Sequence, residues 1–103
     1  MRIKTSIFVS AWIRRCQAGG AFAAVLRKGD PDAGMLAVRS YQPGQPVRVF
    51  METRDLDGDV AWRDITGGGV DEAAADALLD KETKFDRDMW IVEVEDRDGR
   101  LFL

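Results

Sequence analysis

The chain contains no histidine and a single cysteine, and these two shortages remove a good deal of chemistry at the outset. Zinc and the other transition metals lose their usual imidazole and thiolate ligands. Cys16 has no histidine to deprotonate it. It falls on the apolar side of a helical pattern, where a free cysteine behaves as a small buried hydrophobe. One cysteine allows no internal disulfide. No apolar run approaches the roughly 20 residues that cross a bilayer. Ile7–Ile13, the nearest match to a signal's apolar region, is cut short by Arg14 and Arg15,. A cytoplasmic protein with no metal, no cofactor and no membrane span is expected.

Acids are missing from one end. Arg2, Lys4, Arg14, Arg15, Arg27 and Lys28 all precede the first carboxylate, Asp30, yet the net charge is -3. The acidic remainder is expected to pair with this basic segment internally. A basic patch for phosphate or nucleic acid is the competing reading, and the overall acidity disfavours it.

What is present suits one domain over residues 1–103, since 46% of the residues are hydrophobic and a chain this size can bury a core without a staple. Residues 5–18 predict a helix capped by Thr5 or Ser6 and stopped by Gly19. Its polar stripe of Ser6, Ser10, Arg14 and Gln17 is narrow, so burial on more than one side is expected. Ala21–Lys28, Met35–Tyr41, Val47–Arg54 and Val60–Ile65 read as strands separated by turn-rich segments, and connections this short favour an antiparallel meander. In the third strand Val47, Val49, Met51 and Thr53 form the expected core face. Asp71–Phe85 predicts a second helix with Ala74, Ala77, Leu78 and Phe85 on one side, and Trp90–Glu95 a fifth strand. Arg100–Leu103 is placed as a short sixth strand across the Asp98-Gly99 turn. The expected class is α+β: a mainly antiparallel sheet of five or six strands with two helices on one face, in the order α-β-β-β-β-α-β.

Two stretches, KTSIFVSAWIRRCQAGGAFAAVLRKGDPDAG (Lys4–Gly34) and ADALLDKETKFDRDMWIVEVEDRDGR (Ala75–Arg100), resemble the two ends of domain of unknown function 1491, a chiefly alphaproteobacterial family. The resemblance implies a bacterial cytoplasmic setting and one compact domain. It implies no activity and no functional residues, so the chemistry has to come from the residues themselves.

Gly67-Gly68-Gly69 follows a strand and precedes a helix, the position of a phosphate-binding loop. A P-loop needs Lys and Ser or Thr after its last glycine, whereas Val70, Asp71 and Glu72 follow here. Two carboxylates at a helix start repel a phosphate. Asp71 is therefore read as a helix cap, and the glycines as a mobile joint with weakly protected amides. Asp55-Leu56-Asp57-Gly58-Asp59 resembles the start of a calcium loop, but Val60 and Thr66 stand where an EF-hand requires glycine and glutamate. Hairpin turns account for this segment and for Glu95–Gly99.

The remaining signals point to a surface that binds. Arg14, Arg15, Lys28, Asp30 and Asp32 are the candidate binding residues, provided the end of the first helix meets the Asp30–Gly34 turn. Tyr41, Arg48 and Phe50 are the candidate interface, because aromatics among guanidiniums on an outer sheet face suit a partner, a second copy of the chain, or RNA bases. The favoured function is a protein-interaction or binding module that includes homodimerisation. The alternatives are a small metal-independent enzyme using carboxylate and arginine chemistry, and a weak RNA-binding sheet. Nothing in the spacing singles out a catalytic pair.

Overall fold

The computed structural model describes residues 3–103. The first helix, α1, spans Thr5–Ala18. Lys4 occupies its N-cap position without a side-chain cap, so neither Thr5 nor Ser6 caps it. The orphan amides of the first turn are met by another segment instead: Thr5 N–H donates to Asp32 O and Ser6 N–H to Pro31 O,. At the other end Gly19 is the C-cap, and Gly20 takes the left-handed φ of +86° that ends the turn without a Cβ penalty,.

The strands are β1 (Phe22–Arg27), β2 (Leu36–Tyr41), β3 (Arg48–Arg54), β4 (Val60–Asp64) and, after α2 (Glu72–Phe85), β5 (Trp90–Glu95). They form one sheet in the order β1-β5-β2-β3-β4. The expected meander therefore holds only from β2 to β4. β5 enters between β1 and β2, antiparallel to the first and parallel to the second. The physical reason lies in its side chains. Trp90–Val94 is apolar at every position but Glu93, and a strand buried on both faces reads as a near-continuous apolar run.

Both sheet faces are covered. Leu36, Val38, Trp90, Val92 and Val94 pack with Val9, Trp12 and Cys16 of α1. Ala37, Val49 and Ile91 pack with Ala75 and Leu79 of α2. Alternate residues of β2 and β5 thus feed two separate cores, which corrects the expectation of helices on a single face. It also corrects the helix faces. α1 buries one side and exposes Ile7 and Ala11, while α2 is turned by about one residue, burying Ala75 and Leu79 and exposing Ala77 and Phe85.

Two tryptophans hold irregular segments. The Trp90 indole N–H donates to Asp30 O at 2.7 Å, and that of Trp12 to Leu101 O at 2.8 Å. The Leu101 carbonyl is thereby spent on a side chain, and Phe102 takes φ +59°. The tail Arg100–Leu103 accordingly forms no sixth strand.

Candidate functional site

The Asp30–Gly34 turn sits at the start of α1. Thr5 Oγ1 donates to Gly34 O at 2.7 Å, and Lys4 Nζ lies 3.7 Å from Asp32 Oδ1 in an exposed pair. Arg14 and Arg15 are two to three turns further on, roughly 14 Å along an axis that rises about 1.5 Å per residue. The structure therefore groups Asp30 and Asp32 with Lys4 and Thr5, leaves Lys28 exposed just before that turn, and keeps Arg14 and Arg15 apart. Arg14 Nε donates to Ser10 O, and the Arg15 guanidinium lies 6.0 Å from the centre of the Phe8 ring. Among the described residues, which exclude Arg2, only Lys4 of the early basic segment pairs with an acid. The expected internal neutralisation is not how this segment is held.

Tyr41, Arg48 and Phe50 do not share a face. Val38 stands opposite Phe50 and Ser40 opposite Arg48, which puts Phe50 and Arg48 on the α1 side. Tyr41, alternating with Ser40, falls on the α2 side and packs beside Val47 and Val70. Phe50 packs against the α1-side core with the Arg48 guanidinium 5.1 Å from its ring centre, and Arg48 Nη2 donates to Gly99 O. The single aromatic platform anticipated from the strand pattern is therefore two half-buried sites on opposite faces.

One concavity lies between α1, β3, β4 and the tail. It has a volume of about 430 Å³, with Phe8, Leu36, Val60 and Trp62 as its apolar part and Arg15, Glu52 and Arg54 as its charged part. Volumes of roughly 300 to 1,000 Å³ are usual for ligand sites. β3 delivers Glu52 and Arg54 two residues apart on the same face, and the pairing of Glu52 with Trp62 brings β4 alongside. Arg54 Nη1 donates to Gly58 O, which braces its guanidinium on the β3–β4 hairpin. Of these residues only Arg15 was a sequence candidate. Trp62 carried a signal in being the one tryptophan outside an apolar series. Glu52 and Arg54 carried none until α1 was known to lie over their face.

The glycine loop is held from within. Asp64 Oδ1 accepts from Thr66 N–H at 2.8 Å, Oδ2 accepts from Gly68 N–H at 3.1 Å, and Val70 exchanges two backbone hydrogen bonds with Val47. Gly67, Gly68 and Gly69 all have positive φ, so the residue type is needed for this path. The loop is thus tied at Thr66, Gly68 and Val70. A carboxylate of the chain itself takes amides that would otherwise face an anion. Burial alone would raise the Asp64 carboxyl, but the hydrogen bonds from Thr66 and Gly68 and the nearby Arg48 bring it below its usual range,. Asp71 caps α2, its Oδ1 accepting from Ala74 N–H at 2.8 Å, as the sequence indicated. Cys16 is fully buried, and burial pushes its thiol up to about 11 against the opposing pull of Arg15, so the thiolate that reaction requires is scarce.

Asp96 closes the last turn. It accepts from Arg100 Nε and Nη2 and from the amides of Asp98 and Arg100, while Arg100 Nη2 also donates to Gly19 O. The Arg100 side chain, then its amide, hold the Asp96 carboxyl down at about 2. A carboxyl lowered on folding stabilises the protein above its unfolded value, about 3.9, and loses that contribution as pH falls towards the folded value. Acid denaturation should therefore show wild-type stability falling between about pH 4 and 2, with Asp96→Asn less stable at neutral pH and flatter across that window. Equal slopes for the two proteins would contradict this role.

The comparisons with known proteins agree with this architecture. A crystal structure of a DUF1491 family protein from Caulobacter crescentus CB15, at 1.87 Å resolution, is 41% identical, with a TM-score of 0.91 over 99% of this chain and 95% of that one. An NMR structure of a DUF1491 family protein from the same organism gives 41% identity and a TM-score of 0.89 over 100% and 94% of the two chains. A solution structure of a protein from A. tumefaciens is 32% identical, with a TM-score of 0.85 over 100% and 93%. No curated protein matches the chain. The family described as "Protein of unknown function (DUF1491)" matches residues 3–103, so the chain belongs to the DUF1491 family.

Proposed function

We propose that this protein is a small binding module whose ligand site is the cleft between α1 and the β3–β4 hairpin. The observation that carries the reading is the convergence of Arg15 and Arg54 on an apolar cleft floored by Phe8, Leu36 and Trp62. An apolar pocket supplies affinity through burial, and a few charged groups fix orientation. Two guanidiniums against one carboxylate favour an anionic head, so the ligand class is a small carboxylate with an apolar body. Bacterial relatives, the lack among the described residues of any helix long and apolar enough to cross a membrane, and a buried lone thiol support a cytoplasmic setting.

The test uses octanoate and 3-phenylpropionate as probes. Trp12 and Trp90 are buried with their indole N–H groups occupied, so a change in tryptophan emission on titration reports on Trp62. Binding should saturate, and Arg15→Glu should weaken it at least about tenfold, the loss of one charge-assisted hydrogen bond being worth roughly 1.5–3 kcal/mol. Equal affinity in Arg15→Glu, or no saturable change with either probe, overturns the reading. Glu52 in the same cleft is the one observation favouring the enzyme alternative, as a general base beside a guanidinium,. Glu52→Gln separates the two: a binder keeps or gains affinity for carboxylates, and a catalyst loses turnover.

A further inference from the structure

β1 is an edge strand with little to protect it. It pairs with β5 along one side, and among the described residues no strand covers the other. The opposite edge, β4, has five residues, includes Arg63 and Asp64, and follows a hairpin bearing Asp55, Asp57 and Asp59. Charge and shortness of that kind are the usual ways of keeping an edge from pairing. β1 has neither over Phe22-Ala23-Ala24-Val25-Leu26, which lacks charge and proline, and Phe22, Val25 and Leu26 are 60%, 41% and 51% exposed. Only a bulge between Val25 and Arg27 interrupts it, at its far end.

We propose that β1 pairs with β1 of a second copy of this chain, antiparallel and about a two-fold axis at Ala24, joining the two sheets into one. The segment is complementary to itself in that register. Phe22 stands opposite Leu26 of the second copy and Leu26 opposite its Phe22. On this side of the sheet Leu26 already borders the cleft formed with Leu79 and Ile91. On the other side the exposed Val25 stands opposite the small Ala23. Beyond Leu26 the bulge takes Arg27 and Lys28 out of this register at the two ends of the paired segment, so no like charges meet across the axis. Arg27 is also turned inward, its Nη1 donating to Met89 O. An isologous contact requires this kind of match between a patch and itself. An arbitrary extended peptide would use the same backbone groups, but it would not explain why the sizes on the two sides of Ala24 fit each other. This surface is separate from the α1 cleft, so it stands or falls independently of ligand binding.

Light scattering should return about twice the 11.5 kDa chain mass at concentrations near 100 µM, and approach the monomer on dilution. Ala24→Cys should crosslink rapidly under mild oxidation, because directly opposed residues in an antiparallel pair have Cα atoms about 4.5–5.5 Å apart, within disulfide range. Cys16 is buried and does not compete. Ala73→Cys, exposed on α2, should crosslink far more slowly. Leu26→Glu should give a folded monomer with native near-ultraviolet circular dichroism. Phe22→Lys combined with Leu26→Glu should restore the dimer, since the opposite charges face each other only in this register. A wild-type mass of one chain at every concentration up to about 1 mM overturns the proposal. So does a dimer that survives Leu26→Glu while Ala24→Cys crosslinks no faster than Ala73→Cys. A mass that rises only when a foreign extended peptide is added overturns it in favour of strand capture.

Discussion

Trp12→Ala is expected to lower the unfolding free energy by about 4 kcal/mol, the scale seen when a large aromatic is truncated in a core that cannot collapse around the gap. Trp12 is fully buried among Leu36, Val38, Trp90 and Val92 on the α1 side of the sheet. Its indole N–H also ties Leu101 O to the helix. The carbonyl left behind belongs to a half-buried residue, so water can reach it and the cavity dominates the cost. Against a usual total of about 5–15 kcal/mol, this takes a quarter or more of the stability. Urea unfolding should show the midpoint falling with little change in slope. The melting temperature should drop by about 15–30 °C, given roughly 4–8 °C per kcal/mol for a domain of this size. Trp12→Phe should recover part of the loss, since it restores volume but not the hydrogen bond. A change below about 1 kcal/mol for Trp12→Ala would mean that α1 and the tail do not share this core.

How far such features can be read in advance depends on whether their causes are local. Helix α1 over Thr5–Ala18, the Asp71 cap and strand β5 over Trp90–Glu95 follow from neighbouring residues, and the sequence shows them. The family is also legible, because the Arg14-Arg15 end of α1, the Gly29–Gly34 turn and the Trp90–Arg100 segment are distinctive. The insertion of β5 between β1 and β2 has a non-local cause. Its trace in the sequence is indirect: Leu36-Ala37-Val38 and Trp90-Ile91-Val92 are apolar on consecutive residues, which indicates burial on both faces and therefore a central position and two helical layers. The same blind spot hid the cleft. Phe50, Glu52 and Arg54 alternate away from the residues taken as core, and only the placement of α1 above them turns a supposedly outer face into an enclosed one. The held glycine loop likewise depends on Asp64 folding its carboxylate back onto Thr66 and Gly68, a contact that the glycines themselves do not announce.

Arg39 offers the second large effect, and a test of which partner matters more. It stands opposite Glu93 across the parallel β2–β5 pair, on the α2 side, with its side chain only 7% exposed. Nη1 donates to Glu93 Oε1 at 2.5 Å. Nη2 lies 3.5 Å from Glu72 and Nε 3.4 Å from Asp76, one helical turn apart on α2, and Nε makes no hydrogen bond. The guanidinium thus joins the start of α2 to the centre of the sheet, but only one of its three carboxylates accepts a hydrogen bond from it. The other two are mostly exposed and screened, worth about 1 kcal/mol or less each. Breaking a buried pair costs most when the charge left behind cannot reach water. Glu93 keeps some exposure and Arg39 almost none. Glu93→Gln, which leaves the buried cation only the two exposed carboxylates of α2, should therefore destabilise by about 3 kcal/mol, and Arg39→Met, which strands a partly hydrated carboxylate, by about 2 kcal/mol. The double variant should cost less than the sum by about 1–3 kcal/mol, because neither charge of the buried pair then remains. Urea unfolding of all four proteins measures this cycle. Additive losses, or the reverse order of the two single variants, would show that Arg39 holds α2 to the sheet through its packed side chain and not through its charge.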